Sequence, residues 1–253
     1  MAFGTGSTMK FTDVSKYVKQ AIDCGFRHID TAIYYQTEKY VGAAIRESGL
    51  PRSSFYITTK YDGDDVVRKR AQESLEQLGL TYVDLYLVHV PRIMDDFETN
   101  WREFEALKKD GLVKSIGVSN FMMKDLQTLL STAKEKPVVN QIELHPYNYS
   151  TMKELLTYCA HHRIVVQAYG CLNPLTKNPG GPVDSVVDAV ARRLGATATQ
   201  VLFAWAKSKG AAIVTTSRRK EHLREYLAVE NLCPLTLEEI AFIDEAGAKG
   251  PLE

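Results

Sequence analysis

The feature that most constrains this chain is a repeated alternation of short β-branched or apolar runs with stretches whose apolar residues recur every three to four positions. Eight such runs can be counted: AFGTG from Ala2, FRHID from Phe26, FYITTK from Phe55, VDLYLVH from Val83, VKSIGVSN from Val113, VVNQIEL from Val138, RIVVQAY from Arg163 and AAIVTTS from Ala211. Most are continuously apolar, as strands buried on both faces must be, which marks a parallel sheet covered by helices. Helical stripes such as Val14, Tyr17, Val18, Ala21 and Ile22, or Val67, Ala71, Leu75 and Leu78, supply the cover.

Eight β/α units in 253 residues predict an α/β fold of the TIM (β/α)8 barrel type, a single domain spanning residues 1–253. Two helices, about 184–194 and 197–209, fill the gap before the eighth strand, and 237–246 forms an extra terminal helix. The loop LNPLTKNPGGP from Leu172 is rich in Pro and Gly and is expected to be mobile. A doubly wound open sheet would alternate in the same way, but it carries GxGxxG after its first strand, whereas here the turn reads GTGS.

Lys+Arg and Asp+Glu balance at 31 each, so no global field draws the chain to nucleic acid or an anionic membrane, and any anion site must be local. Cys24, Cys159, Cys171 and Cys233 are scattered without CxxC spacing and read as reduced thiols of a cytoplasmic protein. No apolar stretch approaches the roughly 20 residues of a membrane span, and the start lacks a secretory pattern.

Catalytic residues of a barrel sit where strands end at its C-terminal face, with neighbouring strands about 4.8 Å apart. The second run ends at Asp30, the third at Lys60 and the fourth at His89, so the three side chains should fall within roughly 10 Å. Asp30 and Lys60 form a natural ion pair, which alone could be structural. Tyr35, five residues past Asp30 on a loop bending over the same ends, changes the reading. A neighbouring ammonium is expected to pull a phenol down from its usual pKa of about 10 towards neutrality. Tyr35 then serves as general acid, Asp30 orients Lys60, and His89 hydrogen-bonds and positions a carbonyl oxygen. The logical reaction is carbonyl reduction.

At this point the chain resembles the aldo-keto reductases nearly from end to end, through GFRHIDTAIYY with EKYVGAAI, ITTK, DLYLVHVP, GLVKSIGVSNF, VVNQIELHPY and IVVQAY in order. The resemblance implies that Asp30, Tyr35, Lys60 and His89 are the catalytic tetrad and that a nicotinamide cofactor supplies hydride. It implies that Ser119, Asn120 and Gln141 hold the nicotinamide carboxamide while Tyr169 stacks on the ring. It adds Gly4, Thr5, Asp30, Gly170, Leu172, Thr216, Ser217, Arg218, His222, Glu225 and Tyr226 to the cofactor's path. Compared with the family, the chain lacks the usual N-terminal hairpin and the long C-terminal tail.

Ser217, Arg218, Arg219, Lys220 and His222 precede and open a helix, where positive charge opposes the helix dipole unless an anion binds. With a nicotinamide cofactor that anion is a 2′-phosphate, so NADPH is expected, with NADH possible. The family pattern is broken at Thr216, His222 and Tyr226, where lysine, arginine and asparagine are common, leaving Arg218 or Arg219 as the phosphate's partner. Gly6 and Val90 stand where many members have tryptophans, and Thr37 where asparagine is common, so the pocket should be less aromatic.

The partner expected is a small aldehyde or ketone, for a monomer or weak homodimer without metal, nucleic acid or membrane. Two rival functions are a nicotinamide-binding sensor or subunit with little turnover and a Schiff-base lyase on Lys60, which needs a neutral lysine. The YxxxK spacing of Tyr56 and Lys60 is read as accidental, because in a strand it separates them by about 13 Å.

Overall fold

The β-branched and aromatic runs become strands, and their parallel pairing in sequence order closes on itself. The computed structural model describes residues 1–94 and 96–251. Its strands are β1 (Ala2–Gly4), β2 (His28–Asp30), β3 (Tyr56–Tyr61), β4 (Val83–Val88), β5 (Val113–Ser119), β6 (Val139–Glu143), β7 (Val165–Tyr169) and β8 (Ala212–Thr215). Pairing of Phe3 with Thr215 joins β1 to β8 and completes the barrel. The fold is the expected TIM barrel.

Around it lie α1 (Ser15–Cys24), α2 (Glu38–Glu47), α3 (Val67–Leu78), α4 (Phe97–Lys109), α5 (Met123–Thr132) and α6 (Pro146–His161). A short α7 (Asn173–Thr176) is followed by α8 (Pro182–Leu194), α9 (Ala198–Ser208), α10 (Lys220–Leu227) and α11 (Leu237–Ala248). Local sequence marks their ends: Thr197 with Gln200 and Thr236 with Glu239 form capping boxes, and Gly79 and Gly195 terminate α3 and α8 at positive φ. The extra helix α11 packs on α6 and α8. The loop expected to be mobile contains the four-residue α7, tied down where Asn173 Nδ2 donates to Glu143 Oε1.

Strand register decides which side chains face the barrel's interior. Gly4 pairs with Asp30, Lys60 with Leu87, Leu87 with Gly117, Ser119 with Gln141, and Glu143 with Tyr169, so these residues share the inner face. Leu85, Leu87 and Val139 fill the middle as a cluster separate from the main core. Gly117 is needed there, because a Cβ would stand 2.7 Å from Leu87 Cδ2 and 2.8 Å from the Val139 carbonyl oxygen. Residues of opposite parity face the helices: Tyr86 stacks on Phe104 at 5.1 Å and Phe104 on Trp101 at 5.5 Å. At the N-terminal ends of β1 to β4 a cavity of about 500 Å³ is lined by Phe26, His28, Tyr56 and Asp84 among others. Above the apolar plug, the C-terminal strand ends are polar.

Candidate active site

Three strand ends and one loop build the site. Asp30 closes β2 and Lys60 lies one residue from the end of β3, both on the inner face and both buried. Lys60 Nζ donates to Asp30 Oδ1 at 2.5 Å and to the Thr31 carbonyl at 2.7 Å, which leaves the third of an ammonium's donors on its remaining side. That side faces Tyr35, whose ring centroid is 5.1 Å away. Tyr35 ends a 3₁₀ turn at Ile33–Tyr35, and its hydroxyl lies 3.3 Å from Nε2 of His89, the residue after β4. All four candidate catalytic residues therefore meet at one point.

The electrostatics correct one expectation. Burial raises the Tyr35 phenol above its ordinary range, and although Lys60 acts downward it does not overcome burial reinforced by Asp30. The phenol is thus held protonated rather than pulled towards neutrality. Burial would lower the Lys60 ammonium, yet Asp30 and Tyr35 outweigh it and keep the lysine charged. His89 is brought down to about 3, first by burial and then by Lys60, Lys10 and Arg92, so its imidazole is neutral near pH 7. Removing one member of the Asp30–Lys60 pair would leave an uncompensated buried charge, at a cost of about 3–5 kcal/mol.

Beside this group runs a chain of amides and hydroxyls. Gln141 Nε2 donates to Asp30 Oδ2 at 2.8 Å and to Gln167 Oε1 at 2.9 Å. Ser119 Oγ donates to the Gln141 carbonyl at 2.8 Å. Asn120, at a φ of 63° that asparagine tolerates, donates to the His89 carbonyl and Ser119 Oγ and accepts from the Tyr169 hydroxyl at 2.7 Å. Such groups offer both donors and acceptors, the chemistry a carboxamide requires, and half-buried Tyr169 adds a flat apolar wall. The donor set fits a nicotinamide. Gln167 was not among the residues singled out from sequence, although its parity with Tyr169 on β7 places it on the same face.

The other candidates divide. Gly170 takes a left-handed turn, and Leu172 caps α7 beside the anchored Asn173. Thr216 donates to Met9 Sδ, Ser217 Oγ lies 3.4 Å from His222 Nδ1, and Arg218 Nη2 reaches the Thr8 carbonyl at 2.7 Å. These gather at the start of α10, whose N-cap carries no side-chain hydrogen bond. Gly4, buried in β1 beside Asp30, contributes backbone only. Thr5 departs from expectation: its parity turns the hydroxyl outward, into a buried cluster with Thr31 at 3.0 Å and Thr37 at 2.9 Å. Thr37 is consequently part of the scaffold rather than of a pocket. Glu225 is likewise engaged, accepting from Thr197 Oγ1, and Tyr226 is buried edge-on against Phe203. The Tyr56–Lys60 spacing is indeed spread along β3, with Tyr56 packed on His28 at the opposite end of the barrel.

The comparisons agree with this geometry. The model of the "Aldo/keto reductase family" matches residues 1–248. An NAD/NADP-dependent indole-3-acetaldehyde reductase of Schizosaccharomyces pombe is 40% identical over 92% of this chain and 82% of its own length. A methylglyoxal reductase of Salmonella typhimurium is 37% identical over 94% and 87%. The crystal structure of a Bombyx mori aldo-keto reductase in complex with NADP superposes with a TM-score of 0.88 at 32% identity, covering 97% of this chain and 88% of that one.

Proposed function

The chain belongs to the aldo/keto reductase family, and from that premise we propose that Tyr35 donates the proton while NADPH, or less favourably NADH, supplies hydride to a small aldehyde or ketone. The observation that carries the reading is the facing pair of Tyr35 hydroxyl and His89 Nε2, 3.3 Å apart, with the Lys60 ammonium behind the phenol.

A carbonyl oxygen placed between Tyr35 and His89 meets two hydrogen-bond donors. The neutral imidazole donates without surrendering its proton, and so orients the carbonyl and stabilises charge growing on oxygen. As that oxygen becomes an alkoxide, a far stronger base than phenolate, Tyr35 transfers its proton even from a raised pKa. Lys60, fixed by Asp30 and the Thr31 carbonyl, lies where it neutralises the phenolate that remains. Ser119, Asn120 and Gln141 would hold the nicotinamide carboxamide, Tyr169 would wall the ring, and Ser217 and Arg218 would receive the 2′-phosphate. A charged Lys60 cannot act as a Schiff-base nucleophile, which counts against the lyase reading.

The formal net charge is zero and, among the described residues, no helix is long and apolar enough to cross a membrane. We read the protein as a cytoplasmic monomer or weak homodimer acting on free small molecules. The test is turnover. With excess NADPH and a small aldehyde, many moles of alcohol should form per mole of protein, matched by NADPH consumed; binding of NADPH without turnover would support the sensor reading instead.

A further inference from the structure

The loop after β1 lies against the proposed proton donor, and it carries a cation that the mechanism does not use. A Cβ on Gly6 would stand 3.1 Å from the Tyr35 ring, and the Phe11 amide donates to the Tyr35 carbonyl at 2.9 Å, so the loop passes close to that residue at one end and is bonded to it at the other. Ser7 and Phe11 hold φ values of 52° and 62°, a left-handed conformation unfavourable for both and most so for bulky Phe11. Between them the loop delivers Lys10, whose Nζ lies 5.0 Å from the Tyr35 ring centroid and 5.3 Å from that of Tyr34.

A second cation follows His89 in the chain. Arg92 lies in the 3₁₀ turn Pro91–Ile93, three residues beyond His89, and Lys10 and Arg92 both act on the His89 imidazole. Neither has a carboxylate partner among the described residues. The wall near Lys10 is apolar and open: Phe11 and Tyr34 are 58% and 50% exposed, pack edge to face at 5.8 Å, and Tyr34 lies 6.0 Å from the His89 ring. A cation without a carboxylate partner beside exposed aromatic faces, next to the proton donor, suits a substrate with a flat or apolar spacer and an anionic end.

Resting on the reductase reading above, we propose that Lys10, assisted by Arg92, receives a carboxylate on the substrate, so that the preferred substrates are aldehydes carrying a carboxylate a short spacer away from the carbonyl. The contact is remote from the reacting carbon and unchanged by hydride transfer, so it acts on KM rather than kcat. Being partly exposed, it weakens with added salt.

The test compares 4-carboxybenzaldehyde with its neutral methyl ester, methyl 4-formylbenzoate, at saturating NADPH. Wild type should favour the carboxylate in kcat/KM. The carboxylate-to-ester ratio should fall about tenfold in Lys10→Met, through KM, further in Lys10→Glu, and less in the exposed variant Arg92→Met. Salt should lower the ratio in wild type and leave it nearly unmoved in Lys10→Met. A ratio unmoved by all three substitutions overturns the inference. So does a rise in the KM for NADPH with the ratio intact, which would assign Lys10 to the cofactor's phosphates. If wild type reduces neither aldehyde nor any other, the reductase reading fails and takes this inference with it; if it reduces both without preference, only this inference fails.

Discussion

At the scale of single residues, burial decides charges that sequence alone cannot. Tyr35 shows this within the site: the ammonium of Lys60 is where the strand ends put it, but depth of burial sets the net direction. Glu38 shows it outside the site. Its carboxyl is enclosed between β3 and α3, accepts from Thr59 Oγ1, and leaves Oε2 without a hydrogen-bond partner. Burial raises it to about 7, with Thr59, Ser74 and Arg70 acting downward and Asp62 upward. A carboxyl raised in the folded state favours folding while protonated. Between its ordinary 4.5 and about 7 the native state binds more protons than the unfolded chain, so stability falls as pH rises through that window. The loss is on the order of 3 kcal/mol. Glu38→Gln should therefore melt higher than wild type at pH 8, with the difference vanishing towards pH 4.5 in thermal melts; a gap independent of pH would contradict the account. Nothing in EKYV announces this, because a helix glutamate ordinarily faces water.

At the scale of elements, parity along strands carried most of what was legible. Asp30, Lys60, Ser119, Gln141 and Tyr169 lie near strand ends on one face, and apolar runs of known period locate those ends. Parity also separates Thr5 from Gly4, a distinction that reading the turn as a unit obscures. Loops were less legible. Lys10 sits in a segment with no periodicity, and its approach to Tyr35 depends on backbone conformations at Ser7 and Phe11 that sequence does not display. The start of α10 lies between these cases. Its basic run was visible, but the choice between arginines was not, and the structure gives Arg218 a tether to Thr8 while Arg219 stays near Glu221. Arg218→Ala should raise the KM for NADPH about tenfold and that for NADH much less; equal effects on both in steady-state kinetics would reject this phosphate site.

At the scale of the whole molecule, the barrel divides into a scaffold and a chemical end. Eight parallel strands closed around Leu85, Leu87 and Val139 make a packed floor, so functional groups can converge only above it. This architecture was readable from the count and order of units, because few folds accommodate eight alternations in a chain of this length. It also explains how a lysine can be wholly buried and still charged: strand neighbours bring Asp30 beside it. The central claim is that the phenol held over this pair delivers the proton. Tyr35→Phe removes one oxygen and leaves the Asp30–Lys60 pair and the amide chain in place. The decisive measurement is steady-state reduction of an aldehyde by Tyr35→Phe, alongside NADPH binding to the same variant. Binding should persist while kcat falls by about a hundredfold or more; a variant that binds NADPH and turns over at the wild-type rate would contradict the account.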